Sequence, residues 1–300
     1  MTQNGMHILH PTNTWPNIPV KSVRLWDCGV TWKDVNPAKG VFNFNRLDNL
    51  VKLSEDMGVK HIVLVLGMTP QWAARNPNSH HYAPWIGPGS NSAPHTMSDW
   101  TNYVSEVVKR YKGRIHAYQI WNEPQLKDFW ETNEYAALAH MTKLAYQIIK
   151  ETDKRADVVA AAILPRPSSG GVKRGIRYWR ELKKRKWPID VLSCHVYPES
   201  GKGPSRFNIL VKMVRSTARV LGSPTKRLWV TETNYNVPLG PTVKDPSQIS
   251  WLINTTNNIA ARNNIERMYW YGWGHTEAWR FGLDFHNGSH AATMIAPYLR

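Results

Sequence analysis

Short runs of β-branched, aromatic and other apolar residues recur along the chain at 5–9, 21–26, 60–67, 114–121, 157–164, 190–197, 226–233 and 266–273. Most are near-continuous rather than alternating, the pattern of strands covered on both faces. Between them the apolar period lengthens to three and four residues. The segments 47–58, 98–113, 134–153, 172–187, 207–222 and 247–264 carry that helical spacing, which lays one side of each helix on a core. Ser98 is positioned to cap its helix, and Gly58, Gly113 and Gly222 stand where helices should stop. A last helix is expected over 289–299, interrupted late by Pro297. The first interval is rich in proline and reads as a loop. Eight strands alternating with helices predict a parallel sheet that closes into a (β/α)8 barrel. No Pro/Gly-rich stretch is long enough to be a linker, so residues 1–300 are expected to form one such domain.

Composition changes this picture in two ways. The chain has 15 Trp and 12 Tyr, and an indole face suits the apolar face of a sugar ring, although aromatic rings are first of all core material. Its net charge is +16, which favours anionic partners such as an acidic polysaccharide, an envelope polymer or nucleic acid without choosing among them. The richest basic run, 172–187, places Ile176, Trp179 and Leu182 on one face of an amphipathic helix with a solvated basic back. A hydrophobic fraction of 42% and a charged fraction of 20% are ordinary for a globular protein and argue against disorder.

Other chemistries find little support. Cys28 and Cys194, the only cysteines, fit no metal-ligand spacing and are expected inside strands as small apolar residues rather than as a disulfide. His80, His81 and His95 share the long irregular segment 75–97, but their spacing matches no ligand pattern, so no metal is expected. Neither GxGxxG opening a helix nor GxxxxGK[ST] is present, so no nucleotide cofactor is expected. No run of about 18 apolar residues predicts a membrane span, and the first residues do not read as a signal peptide. A soluble protein is expected, secreted or envelope-directed if a leader has been removed and otherwise cytoplasmic.

The most informative residues are two glutamates. Glu123 follows the fourth apolar run in IHAYQIWNEPQ, and Glu232 lies at the end of the seventh in KRLWVTETNYN. The C-terminal strand ends of a parallel barrel open onto one face, where active sites of this fold are built. Two carboxylates brought together there are the equipment of a glycosidase.

Together with VRLWDCGVTW, FNFNRLDNLV, VLGMTPQWA, SCHVYP and YWYGWG, these motifs resemble clan A of the glycoside hydrolases, the retaining (β/α)8 enzymes. The likeness is greatest to families 5 and 39, including bacterial exopolysaccharide hydrolases. It implies that Glu123 is the acid/base, Glu232 the nucleophile and Asn122 a partner of the sugar 2-hydroxyl. It further implies that Arg24 holds the nucleophile ionised, that His195 and Tyr197 line the −1 subsite, and that Trp273 or Trp270 is the eighth-strand platform. Trp32, Trp72, Trp85 and Trp130 are further subsite candidates near strand ends. Each of these residues also has a structural explanation: a strand-end Arg pairs with a nearby acid, and His195 and Tyr197 can be satisfied core residues.

The expected reaction is double displacement through a covalent glycosyl-enzyme on a polysaccharide, endo-acting and directed at an envelope or exopolysaccharide glycan. In it Glu232 is charged, held by Arg24 and a Tyr hydroxyl, while Glu123 is protonated in a partly dry cleft. Transglycosylation is a related outcome, with an acceptor hydroxyl replacing water. The contrasting reading is a non-catalytic barrel that binds an acidic glycan or nucleic acid through its basic surface. Specific nucleic-acid recognition has no motif to carry it, whereas electrostatic adhesion to anionic envelope polymers is compatible with the charge.

Overall fold

The computed structural model describes residues 1–79, 86–131, 134–166, 171–199, 201–235, 243–274 and 282–300. Eight parallel strands form the barrel: β1 Gln3–Ile8, β2 Ser22–Leu25, β3 His61–Leu66, β4 Ala117–Ile120, β5 Asp157–Val159, β6 Leu192–Val196, β7 Leu228–Thr233 and β8 Arg267–Trp273. The ladder runs β5-β4-β3-β2-β1-β8-β7-β6. Parallel bridges at Val159–Val191 and Ile163–Cys194 close the remaining seam, so the 157–164 run acts as a short strand followed by a broken edge.

Helices α1 Trp32–Val35 and α2 Asn45–Asp56 both fall between β2 and β3. The later intervals hold α3 Met97–Arg110, α4 Tyr135–Thr152, α5 Gly171–Lys184, α6 Pro204–Leu221 and α7 Pro246–Arg262, with α8 His290–Ile295 after β8. The first interval is indeed a loop. Gly222 ends α6 in the left-handed conformation (φ 71°, ψ 40°), which glycine adopts without a Cβ penalty. The α3 cap is Thr96, not Ser98. Thr96 Oγ1 lies 2.6 Å from Asp99 Oδ2, which ties the first turn to the residue before it.

On α5 and the turn after it the expected division holds: Trp179 and Leu182 are buried, Ile176 is half-buried, and Lys173, Arg177, Arg180, Lys183, Lys184 and Lys186 are exposed. Cys194 lies in β6, but Cys28 lies in the turn after β2 rather than in a strand. Both are free and buried, and burial pushes both thiols up to about 12, so neither is a ready nucleophile.

Strand alternation divides the barrel interior into two layers. Near the strand starts, Val63, Ala117, Val159, Val191, Trp229 and Tyr269 form a separate apolar cluster. Gly5 makes room for it, because a Cβ there would stand 2.5 Å from the Tyr269 ring and 2.8 Å from the Ser22 carbonyl. Two positions further along the strands the lining turns polar, with Arg24 after Ser22, Gln119 after Ala117, Ser193 after Val191 and Thr231 after Trp229. That polar layer is the floor of the functional face.

At the opposite end, His61 stacks on His116 with ring centroids 5.3 Å apart and meets the Trp229 ring edge-on. Burial, helped by the charges of Arg267, His116 and Arg227, pushes His61 down to about 2, and burial also lowers His116. Both rings are therefore neutral in the folded protein near neutral pH, whereas in the unfolded chain they bind protons below about 6.5. Folded-state pKa values below the unfolded ones mean stability that is complete above about pH 6.5 and lost as the pH falls. Each pH unit below that costs up to about 1.4 kcal/mol for His61, and less for His116, which is exposed to solvent. The melting temperature should thus fall steeply between pH 7 and 5, and His61→Phe should make that fall shallower; equal slopes in wild type and variant would contradict this account.

Candidate active site

Arg24 organises the functional face. It leaves β2 toward the barrel axis, is fully buried, and distributes its donors over three other strands. Nε bonds Gln119 Oε1 of β4 at 2.8 Å, and Nη2 bonds Asn122 Oδ1 just past β4 at 2.8 Å. Nη1 bonds Glu232 Oε1 of β7 at 2.7 Å and lies 3.4 Å from His7 Nδ1 of β1. Gln119 is itself held, because its Nε2 donates to Ser193 Oγ at 3.0 Å and to Thr231 Oγ1 at 3.3 Å.

Glu123 and Glu232 converge on the same cleft. Glu232 accepts the Tyr197 hydroxyl at 2.7 Å on Oε2, in addition to Arg24 on Oε1. His195 stands between the acids, with Nδ1 2.6 Å from Glu123 Oε1 and 3.4 Å from Glu232 Oε2. One oxygen of each glutamate and a His195 ring nitrogen all lie within 4.8 Å of one another. The β6–β7 ladder explains how His195 reaches this place. Its register shifts so that Cys194 faces Val230 while His195 faces Glu232. The extra residue, Thr231, is a bulge that re-aims the end of β7.

The turn after β4 is also built under constraint. Trp121 and Glu123 both have positive φ, 75° and 38°, each costing on the order of 1–3 kcal/mol for a residue with a side chain. The Trp121 N–H donates to the Leu66 carbonyl at 2.8 Å and its indole to the Phe129 carbonyl at 2.6 Å, while the Glu123 carbonyl accepts from Leu126 at 3.0 Å. These bonds hold the turn that presents Asn122 and Glu123 side by side. With Asn122 Oδ1 committed to Arg24, its amide NH2 is the group left for a ligand.

The two carboxyls have unequal surroundings. Burial raises Glu123 to about 7, with Arg166 and Arg24 pulling it down and Asp128 pushing it up. Glu232, by contrast, accepts hydrogen bonds from a guanidinium and a phenol hydroxyl. Burial drives His195 down to about 3 despite the neighbouring Glu232, so its ring is neutral at working pH. It bridges the acids through a hydrogen bond rather than as a second cation.

The structure thus brings together Arg24, Asn122, Glu123, His195, Tyr197 and Glu232. The tryptophans divide differently. Trp72 is half-buried in a short 3-10 turn at Gln71–Ala73, its indole donating to the Asn36 carbonyl at 2.9 Å. Trp273 ends β8 but is only 1% exposed. Trp270 is fully buried, donates to Asn4 Oδ1 at 2.9 Å and meets Phe285 edge-on. Lying between Tyr269 and Tyr271 of the lining, it faces the outer shell, and a sugar platform there is corrected to a core ring. Trp32, stacked on Tyr103 and packed on Trp100, and Trp130, packed on Trp121, are likewise core. Trp85, His80 and His81 lie outside the described residues.

Sequence reasoning missed His7, Asp27, Gln119, Ser193, Tyr271 and Arg166. A usable signal existed for several: a polar residue at every second position of an otherwise apolar strand marks a lined interior. Among the described residues, the acid and histidine donors that converge as metal ligands would are Glu123, His195 and Glu232 themselves. The Arg24 guanidinium already supplies the cationic partner of Glu232.

This fold and this pair of strand-end carboxylates define the clan A type of glycoside hydrolase barrel. The chain belongs to glycosyl hydrolase family 39, whose family model, described as Glycosyl hydrolases family 39, matches residues 9–252. A β-xylosidase of Caldicellulosiruptor saccharolyticus is 25% identical over 224 residues, 68% of this chain and 42% of that protein. The chain spans about half the length or less of this β-xylosidase and of an endo-1,4-β-xylanase of Claviceps purpurea that it also matches. Among solved structures, a glucosidase from Croceicoccus marinus superposes with a TM-score of 0.75 at 13% identity, covering 99% of this chain and 66% of that one. A family 39 β-xylosidase from Caulobacter crescentus gives 0.62 at 19% identity, covering 84% and 55%. At such identities the structural likeness establishes the fold.

The dominance of burial at Glu123 is open to direct measurement. A 13C-detected titration of its carboxyl should have a midpoint near 7, and Arg166→Ala, which removes the largest opposing charge, should raise it. A midpoint in the ordinary carboxylate range would contradict the desolvated setting described here.

Proposed function

We propose that this protein is a retaining β-glycosidase that cleaves a polysaccharide by double displacement, with Glu232 as nucleophile and Glu123 as acid/base. The observation that carries the reading is that one oxygen of each carboxyl comes within 4.8 Å of the other across His195. Retaining enzymes hold theirs about 5–5.5 Å apart, whereas inverting ones leave room for a water at about 6.5–9.5 Å.

In this mechanism Glu232, kept anionic by Arg24 and Tyr197, attacks the anomeric carbon while Glu123 gives its proton to the departing glycosidic oxygen. Glu123, now charged, takes a proton from the incoming water as that water displaces Glu232. Asn122 would hold the 2-hydroxyl through its free NH2, a contact that strengthens as the oxocarbenium character develops. His195 orients the Glu123 carboxyl throughout without changing charge.

The names of relatives, β-xylosidase and endo-1,4-β-xylanase, make xylan the first neutral polymer to test. The net charge of +16 and the exposed basic face of α5 favour an anionic envelope or exopolysaccharide glycan as the alternative. The endo reading rests on Trp72, a half-buried indole within the long β3–α3 connection, as a candidate sugar platform. Reducing-end release and product sizing on xylan and on anionic bacterial polysaccharides separate these possibilities.

Glu232→Ala should abolish turnover. Glu123→Ala should lower kcat/KM by roughly 10²–10⁴-fold on poor leaving groups and much less on activated aryl glycosides. Because Glu123 must be protonated, wild-type kcat/KM should fall as the pH rises through about 7. Mass spectrometry after a 2-deoxy-2-fluoro glycoside should find the sugar on Glu232. Undiminished hydrolysis in both alanine variants would sink the proposal.

A further inference from the structure

Next to the Arg24 hub stands a third, half-buried acid that the reaction does not use. Asp27, in the turn after β2, has a side chain 13% exposed, and its Oδ1 is 2.5 Å from Nε2 of the fully buried His7 on β1. The other oxygen, Oδ2, accepts the Tyr271 hydroxyl from β8, and the Tyr271 ring meets the His7 ring edge-on at 4.5 Å. The opposite nitrogen of His7, Nδ1, faces Arg24 Nη1 at 3.4 Å. We propose that Asp27 and His7 form a positioning pair that fixes how Arg24 is presented to Glu232.

The argument runs through hydrogen-bond polarity. A guanidinium only donates, so Nδ1 must offer Arg24 its lone pair and the ring proton must sit on Nε2. A carboxylate on Nε2 selects that tautomer, as an acid partner does for other functional imidazoles. Arg24 Nη1 is then shared between two acceptors on opposite sides, His7 Nδ1 and Glu232 Oε1. The opposite tautomer would set N–H against N–H and turn the guanidinium away. Tyr271 holds the far side of Asp27, so the chain of contacts runs Tyr271, Asp27, His7, Arg24, Glu232 across β8, β2, β1 and β7. Neither Asp27 nor His7 contacts Glu232 directly among the hydrogen bonds of the site, so their effect passes through Arg24.

The inference rests on the reading of Glu232 as nucleophile, and two measurements keep them separate. In the first, Asp27→Ala and His7→Phe should each lower kcat/KM and the rate of Glu232 labelling by a 2-deoxy-2-fluoro glycoside, by roughly 10–100-fold. The double variant should lose little more than either single one, because residues acting as one unit are not additive. His7→Gln, which can return an acceptor to Arg24, should recover part of the rate. Additive losses, or no loss in the labelling rate, would overturn the positioning role. In the second, the 15N shifts of the His7 ring in the wild-type protein, assigned against His7→Phe, should report a neutral ring protonated on Nε2. A proton on Nδ1 overturns the proposal even if the single variants are slow or fail to fold. If the wild type neither cleaves glycosides nor labels at Glu232, the functional reading fails, and the tautomer alone decides the arrangement of the pair.

Discussion

A buried guanidinium is the constraint on which this site depends. Arg24 has no exposure, and a charge in that position is tolerable only when its donors are matched. The acceptors come from Gln119, Asn122, Glu232 and His7, on or just after three other strands, so satisfying one residue sets the relative positions of β1, β2, β4 and β7. Removing a partner from such a pair strands a charge at a cost of about 3–5 kcal/mol. The same bonds that settle the cation therefore aim Glu232 and Asn122, and the rigidity of the site follows from the burial of Arg24 rather than from the loops above it.

Around that hub the barrel separates tasks by depth. The apolar layer of Val63, Ala117, Val159, Val191, Trp229 and Tyr269 fills the interior near the strand starts. The layer above exchanges packing for hydrogen bonds, with Gln119 tying Arg24 to Ser193 and Thr231. A polar layer inside a barrel is unfavourable unless nearly every group is matched, and here the matching extends from the floor to the two carboxyls, with His195 Nε2 the buried exception at the site. The strained turn at Trp121 and Glu123 sits on top of this platform, where its cost is borne by bonds to Leu66, Phe129 and Leu126.

Much of this was legible in the sequence because apolar period and strand-end chemistry are local signals. All eight strands and the later helices fall where the periodicity puts them, and Arg24, Asn122, Glu123, His195, Tyr197 and Glu232 do share a cleft. The tryptophans were harder because a strand reverses its face at every residue. Trp270 lies one position from the lining residues Tyr269 and Tyr271, and that single step separates a buried core ring from a cleft wall. Cys28 and Asp27 were obscured by a strand that ends at Leu25, sooner than the apolar run suggested. His7 and Gln119 carried no motif, and their meaning depends on partners 17 and 95 residues away.

The bulge between β6 and β7 shows why the pairing of the acids could not be read from spacing alone. In an unbroken ladder Cys194 facing Val230 would set His195 opposite Thr231, and Glu232 would pass to the next residue. The extra residue instead puts His195 opposite Glu232, so that Nδ1 can reach Glu123 at 2.6 Å and Glu232 at 3.4 Å. Burial keeps that imidazole neutral, and a neutral bridge is what an acid/base pair needs at this point. A second cation beside Arg24 would favour the anionic form of both glutamates and erase the difference between them. The asymmetry between the two glutamates thus rests as much on the charge withheld from His195 as on the charge supplied by Arg24.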